Sequence, residues 1–550
     1  MVRRAATPLR VAWRRSWLYR RFLKGKMPDR ILFYPVDTVP KRLEEADSLL
    51  KGRFRFAGET VDVKEGSAFD RAAPSARWAR ALHEFDWLPP LSAAGGEAAR
   101  TLATNLITQW IKRNGRYGEP SWSADVTASR LLHVFAHGRF VTANSDVMWR
   151  SKLFVSLREQ SRQLARTFGE APEGLPRLET AVALVLSGAC LNDSAKRLET
   201  GLTHLEAEIA VQILPDGGHV SRSPETLLQA YRLIVMAIDS LHATDHPVPV
   251  GIQSAHDRMA PMLRFFRHGD GSLALFNGGS ECNARMVEAL LARDEVRGQP
   301  FSHAPHSGYQ RIATGKNLVV LDCGIPPAGA FSANAHAGCL AFEFSAAGQR
   351  IVVNCGAESA ASISWADALR ATAAHSTVTL ADTSMAAVLQ PGLARELIGA
   401  RLLGGPTKVD SIREETPQGW RMDGAHDGYL KRFGIKHERS LSLSPRGNVL
   451  SGLDRLVPTH DRAQRRPVAF AARFHIHPDV RVSPNQGGGF ILKLPNGEGW
   501  RFRSSGDATI EDSVYLGTGS VRHSEQFVIS GIVKQTPAEI GWTFERMNGT

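Results

Sequence analysis

Residues 334–356, NAHAGCLAFEFSAAGQRIVVNCG, decide the fold of the second half of this 550-residue chain. Two strand-length apolar runs, 339–344 and 349–354, lie on either side of Ser345-Ala346-Ala347-Gly348. The glycine supplies a positive φ for a tight turn, so the stretch predicts a β-hairpin. Asn334 and His336 precede it, and Asn354 ends it.

Working outward, the same period of two returns many times. Residues 317–323, 468–477, 513–516 and 526–533 read as strands, and 490–494 with 499–502 flank Pro495-Asn496-Gly497-Glu498 as a second hairpin. Many short strands with glycine-rich turns predict an antiparallel β-sandwich. From about residue 73 to 295 the apolar spacing is helical instead, in segments such as 95–115, 146–168, 175–191 and 193–214. Helices joined by short breaks pack against antiparallel neighbours. An array of helical hairpins follows, of which an α/α toroid is one form. The patterns change over at Gly298, Pro300 and Pro305. The expected organisation is a basic arm (1–60), a toroid-like helical domain (61–298) and a β-sandwich domain (299–550).

Apolar residues make up 43% of the chain and charged residues 22%, an ordinary globular balance. No apolar run is long enough to span a bilayer, and no apolar h-region follows the charged start, so the cytoplasm is the expected location. Five cysteines without CxxC spacing predict buried free thiols rather than a disulfide framework or zinc cluster. The net charge is +12, but residues 1–26 carry nine Arg and Lys and no acid. Most of the excess therefore sits in the arm, which gives no sign of a nucleic-acid surface on the folded body. With Trp13, Trp17, Leu18, Phe22 and Leu23 interleaved, the arm is either a peripheral contact for an anionic membrane or a solvated extension.

Two clusters concentrate residues able to do chemistry. Pro215-Asp216-Gly217-Gly218-His219-Val220-Ser221-Arg222-Ser223-Pro224 joins two helices, with Ser223 as N-cap and Pro224 as first helical residue. It is either a loop with solvated His219 and Arg222 or a site that aims them into a cleft. The second cluster joins Asn334 and His336 to Ala371-Thr372-Ala373-Ala374-His375-Ser376-Thr377 across the hairpin. A third polar stretch, Ala425-His426-Asp427-Gly428-Tyr429 with His437-Glu438-Arg439, reads as a turn, or as a groove lining through His426 and Tyr429.

The order and spacing of these motifs resemble the heparinase II/III-like polysaccharide lyases. Those proteins carry a His-x-His-x-Asp-type motif before an apolar strand, a hairpin ending in Asp-x-Gly, and an Ala-His-Asn-Thr-like motif. Trp122-Ser123-Ala124-Asp125-Val126-Thr127-Ala128-Ser129-Arg130-Leu131 and the DGG…SRSP segment resemble signatures of the helical half. The resemblance implies a helical toroid and β-sandwich that act on an acidic polysaccharide, with a periplasmic location as the alternative to the cytoplasm. It also implies a zinc trio at His336, Asn354 and His375, and a catalytic place at Asn334. Three positions depart from the pattern. Asn334 stands for histidine, Asn354 for aspartate, and Glu225-Thr226-Leu227 occupies the place of the tyrosine base. Tyr231 lies seven residues past Pro224, about 10 Å along a helix.

Uronate β-elimination requires carboxylate neutralisation, C5 proton removal and protonation of the leaving oxygen. The expected roles are Arg222 and Asn334 as carboxylate clamp, His219 as base, His336 as acid, and Tyr231, His426 and Tyr429 as sugar contacts. The competing readings are a catalytically altered glycan-binding protein and a membrane-associated factor in surface-polysaccharide metabolism. Convergence of His219, Arg222, Asn334 and His336 separates the first reading from the others.

Overall fold

A computed structural model describes residues 7–40, 43–294, 298, 300–357, 363–417, 419–459 and 467–547. Arg3 and Arg4 of the arm, and part of the expected domain junction, lie outside them. The chain divides into two compact units. The first comprises Met1–Val211 and Gln229–His256, the second Gln212–Leu228 and Asp257–Thr550.

The helices of the first unit, in chain order, are α1 (Thr7–Arg15), α2 (Trp17–Leu23), α3 (Leu43–Leu50), α4 (Ala76–Glu84), α5 (Leu88–Ala94), α6 (Gly96–Asn114), α7 (Ala124–Thr142), α8 (Val147–Thr167), α9 (Leu175–Cys190) and α10 (Ala195–Gln212). They are followed by α11 (Pro224–Ala243) and α12 (Val250–Phe266), which contribute to both units. Local chemistry sets their ends. Ser75 and Asp146 cap α4 and α8 by accepting from the Trp78 and Trp149 amides, and Pro176 sits in the first turn of α9. Helix α7 is the hub, packed on α4, α5, α6, α8 and α9 through fully buried Val126, Ala128, Leu131 and Phe135. A small hairpin, Arg53–Phe56 with Glu59–Asp62, interrupts the helices early in the chain.

The arm is ordered where it is described. Arg14 donates to both carboxylate oxygens of Glu170 (2.9 and 2.6 Å) and to the Tyr117 hydroxyl (3.1 Å). Tyr19 and Leu23 are buried. Trp13, Trp17, Leu18 and Phe22 of the same two helices are exposed, Trp17 by 72%.

In the second unit, two antiparallel sheets form the sandwich. One runs Val409–Thr416, Gly419–His426, Ile435–Leu443, Val449–Pro458, Ala538–Arg546, Gly499–Ser504, Phe490–Lys493, Arg481–Pro484. The other includes Ala508–Tyr515, Arg522–Val533, Val468–Ile476, Gln349–Val353, Phe342–Ala346 and Asn317–Asp322 in that order. Their inner faces meet in an aromatic core that includes Phe342, Phe344, Phe474, Trp500, Phe502, Phe527, Trp542 and Phe544. The expected hairpin is present, with Ala347 and Gly348 at φ 49° and 80°. Its first strand begins at Phe342 rather than at 339. Leu340 turns at φ 58° while its amide donates to Asp322 O.

The unit boundary also differs from a cut at 298/299. Residues 212–228 and 257–294 belong with the sandwich, because their polar side chains pair with it. Asp216 accepts from the Ser307 amide and hydroxyl, both at 2.7 Å, and His268 bonds Glu343 at 3.0 Å.

Candidate functional site

The loop between α10 and α11 holds His219 and Arg222. Gly217 turns it at φ +85°, where a Cβ would come within 2.0 Å of Arg258 O, so only glycine fits. His219 is turned inward. Its Nδ1 accepts from the Ser221 amide (3.0 Å), so the ring proton sits on Nε2 and is donated to Gln212 Oε1 (3.0 Å). Burial pushes its pKa down to about 3. The imidazole is neutral, but its lone pair is already used and the ring is 2% exposed. It has no lone pair to offer a substrate proton.

Arg222 adopts φ +60° and is spent within the fold. Its Nε donates to Ser307 O (2.8 Å), Nη1 to Gly324 O (3.2 Å) and Ile325 O (3.1 Å), and Nη2 to Gly308 O (3.1 Å) and the Asp322 carboxylate. A guanidinium has five N–H donors, so none is left to clamp a uronate. The ion pair with Asp322 raises the pKa of Arg222 above its ordinary value, against the opposing effect of burial. The carbonyl of Arg222 accepts from the Tyr309 hydroxyl (2.7 Å) and from Asn277, whose Oδ1 in turn receives the His336 amide (3.2 Å).

His336 and His375 do meet. His375 Nδ1 is 2.8 Å from the Ala371 carbonyl, which only accepts, so His375 Nε2 is an acceptor. His336 Nδ1–H therefore donates to it across 3.0 Å. Burial, followed by the nearby His375 and Arg370, holds His336 well below its usual pKa. A neutral imidazole with that proton engaged is not a general acid. Among the described residues, its Nε2 has no hydrogen-bond partner. Asn334 is exposed on the preceding turn.

Asn354 bonds neither histidine. Its amide nitrogen donates to Leu275 O (3.1 Å) and Glu343 Oε1 (3.4 Å), and its Oδ1 accepts from the Ser376 amide (3.0 Å). Glu343, fully buried, also receives the Leu275 and Asn354 amides (3.0 and 3.2 Å). The residue implied as aspartate is thus an amide because a carboxylate already stands beside it. Zinc takes thiolate, imidazole or carboxylate ligands, usually four. Here two imidazoles bond each other and the amide oxygen is engaged by the Ser376 amide, and no group of three His, Cys, Asp or Glu among the described residues could hold a metal. The trio does not fit zinc.

The side chains of the expected sugar contacts are buried. Tyr231 lies in the first unit, fully buried, stacked on His256 with its hydroxyl 3.0 Å from Nε2. His426 accepts from the Gly428 amide and bonds His437 (3.2 Å), which bonds Asp454 (2.7 Å). Asp454 also takes two bonds from Arg439 and one from Trp542. The Tyr429 hydroxyl donates to Val378 O at 2.8 Å. The side chains of His426 and Tyr429 are therefore part of the sandwich core.

Sequence reading missed Asp322, Glu343, His268 and Asn277, which decide what the loop residues can do. Glu343 carried a signal, being a lone charge inside the apolar run LAFEFS.

The family model for the heparinase II/III-like C-terminal region matches residues 296–543. FtsZ-localized protein C of Caulobacter vibrioides (strain NA1000 / CB15N) is 33% identical over 533 residues, covering 95% of this chain and 91% of that protein. The chain belongs to the heparinase II/III-like family. Solved structures share the fold of this heparinase II/III-like protein. Heparinase III superposes with TM-score 0.74 at 14% identity, covering 97% of this chain and 89% of that one. A mutant of the heparan sulfate lyase HepC from Pedobacter heparinus gives 0.63 at 16%, covering 97% and 88%. These members have the α/α toroid and β-sandwich architecture, which is the expected fold class.

Proposed function

We propose that this heparinase II/III-like protein is a catalytically altered member that works as a localised, membrane-peripheral factor rather than as a uronate lyase. The observation that carries the reading is the state of Arg222 and His219. The proposed clamp has every donor engaged, and the proposed base has its lone pair engaged. Elimination on this chain lacks both groups.

The membrane contact is supported by the arm. Trp13, Trp17, Leu18 and Phe22 are exposed beside Arg10, Arg15, Arg20, Arg21, Lys24 and Lys26, while Arg14, Tyr19 and Leu23 hold the helices to the fold. Exposed aromatics among cations suit an anionic lipid surface. No helix among the described residues is long and apolar enough to cross a membrane. Localisation with FtsZ is carried over from the name of the Caulobacter relative.

The test has two arms. Purified protein is assayed for rising ultraviolet absorbance on uronate polysaccharides, and for sedimentation with vesicles of anionic or zwitterionic lipid. A flat absorbance trace with sedimentation on anionic vesicles alone is expected. Turnover on any uronate polymer, or no vesicle binding, overturns the reading. A second reading, elimination by a residual site, is favoured by one observation: His336 Nε2 has no described partner and Asn334 beside it is exposed. The absorbance assay decides it.

A further inference from the structure

A two-stranded ribbon in the second unit, Ala386–Val388 with Leu402–Gly404, stands apart from the two large sheets. Beyond the strand Gly419–His426, a turn leads into the short helix Leu430–Phe433. Asp427 of that turn fastens the chain that leaves the ribbon. Its carboxylate accepts from the Thr407 amide (2.8 Å), the Thr407 hydroxyl (2.6 Å) and the Lys408 amide (3.1 Å). Ribbon, turn and helix together line an open cavity of about 1000 Å³. That is ample for a small molecule. None of the lining residues belongs to the loop cluster at His219 and His336.

The lining is selective. Met385, Ala386, Ala387, Leu403 and Leu430 give it apolar surface. Four hydroxyls also face it, and the hydrogen of each is already committed. Thr383 donates to Ala381 O (3.0 Å), Thr407 to Asp427, and Thr459 to Gly434 O (3.1 Å). The Thr372 hydroxyl donates to Ala337 O (2.8 Å), so Ser384 is the donor across the 3.1 Å between the Thr372 and Ser384 oxygens. A sugar needs donors as well as acceptors, and these hydroxyls can only accept. The charges are unequal too. Asp427 has its oxygens engaged, whereas Lys431 and Arg432 both line the cavity. Arg432 is exposed, its guanidinium lies 5.4 Å from the Phe433 ring centroid, and no described carboxylate pairs with it.

We propose that this cavity binds a small amphipathic anion, an apolar body carrying one acidic group. The body leaves water against Met385, Ala386, Leu403 and Leu430. The acidic group meets the Arg432 guanidinium, whose planar fork suits a carboxylate or a phosphate. The site goes beyond the membrane reading and does not depend on it.

Calorimetric titration of the full-length protein tests the proposal with ligands that share one ten-carbon chain. Decanoate and decyl phosphate are compared with uncharged decanol and cationic decylammonium. At least one of the two anions is expected to bind more tightly than decanol and decylammonium, and the tighter anion names the acidic group. Arg432→Gln should weaken that anion about fivefold and leave decanol unchanged. Ala387→Trp, at an exposed position of the ribbon, should fill the cavity and weaken anion and alcohol about tenfold. Thermal melting of each variant separates lost binding from lost fold. Where Ala387→Trp melts early, Leu403→Glu sets a negative charge on the same wall and should weaken the anion by a similar factor. The double variant Trp17→Ala, Phe22→Ala should bind the anion unchanged, which distinguishes the cavity from the membrane contact of the arm. Four results would each overturn the proposal: no binding of either anion, equal or tighter binding of decanol or decylammonium, cavity variants that bind like the unsubstituted protein, or binding lost with the arm variant.

Discussion

Arg222 and Asp322 form an ion pair in which both side chains are nearly sealed, at 8% and 4% exposure. The pair ties the loop after α10 to the end of the strand Asn317–Asp322. Removing one partner strands the other charge. Asp322→Asn is therefore expected to destabilise the second unit by about 3–5 kcal/mol, read as a shift in the chemical denaturation midpoint. A loss below about 1 kcal/mol would mean that the pair is open to water.

Asn354 beside Glu343 gives a second prediction. Asn354→Asp sets a second carboxylate against a fully buried one and removes the amide donor to Leu275 O. A loss of about 2–4 kcal/mol is expected from the unpaired buried charge, with partial recovery in the Glu343→Gln, Asn354→Asp double variant. Added zinc should not raise the melting temperature of the natural protein. A zinc-dependent rise would show that the His336–His375 pair opens to take a metal.

Buried neutral histidines set the acid limit. His219 and His475 are pushed down to about 3 by burial, and His426 lies well below its ordinary value for the same leading cause. In the unfolded chain each takes up a proton near pH 6.5. Their contribution is thus fully present above that pH and is lost as pH falls toward the folded values. The expected slope is up to about 1.4 kcal/mol per pH unit for each histidine. Denaturation midpoints measured from pH 7.5 to 4.5 check this, and an unchanged midpoint at pH 5 would contradict it.

The arm predicts a separation of binding from stability. Trp17→Ala with Phe22→Ala removes exposed rings without touching Arg14, Tyr19 or Leu23. Affinity for anionic vesicles should fall at least tenfold and the melting temperature stay constant. Vesicle sedimentation at two salt concentrations checks the charge component, since surface attraction weakens as salt rises.

The architecture was legible because periodicity is a local property. The hairpin around Ser345–Gly348, the strands 317–323 and 468–477, and the helices 95–115 and 175–191 fall within a few residues of the observed elements. The site was less legible for an equally physical reason. His219, Arg222 and Asn354 look chemically able in sequence, and what they can do depends on partners far along the chain. Arg222 meets Asp322 one hundred residues away, and Asn354 is shaped by Glu343 and by Leu275, 79 residues before it. Tyr231 and Tyr429 read as sugar contacts in sequence because a tyrosine pattern does not distinguish a groove lining from a core residue whose hydroxyl finds a buried partner.

The position of Glu343 has a consequence for the order in which this chain can change. Its carboxylate is held by His268, by two amides and by the Asn354 side chain, so it cannot turn aside to admit another. A mutational path to an aspartate at 354 is therefore open only after position 343 has changed. The reverse order would set two carboxylates side by side in the core, each without a counter-charge of its own.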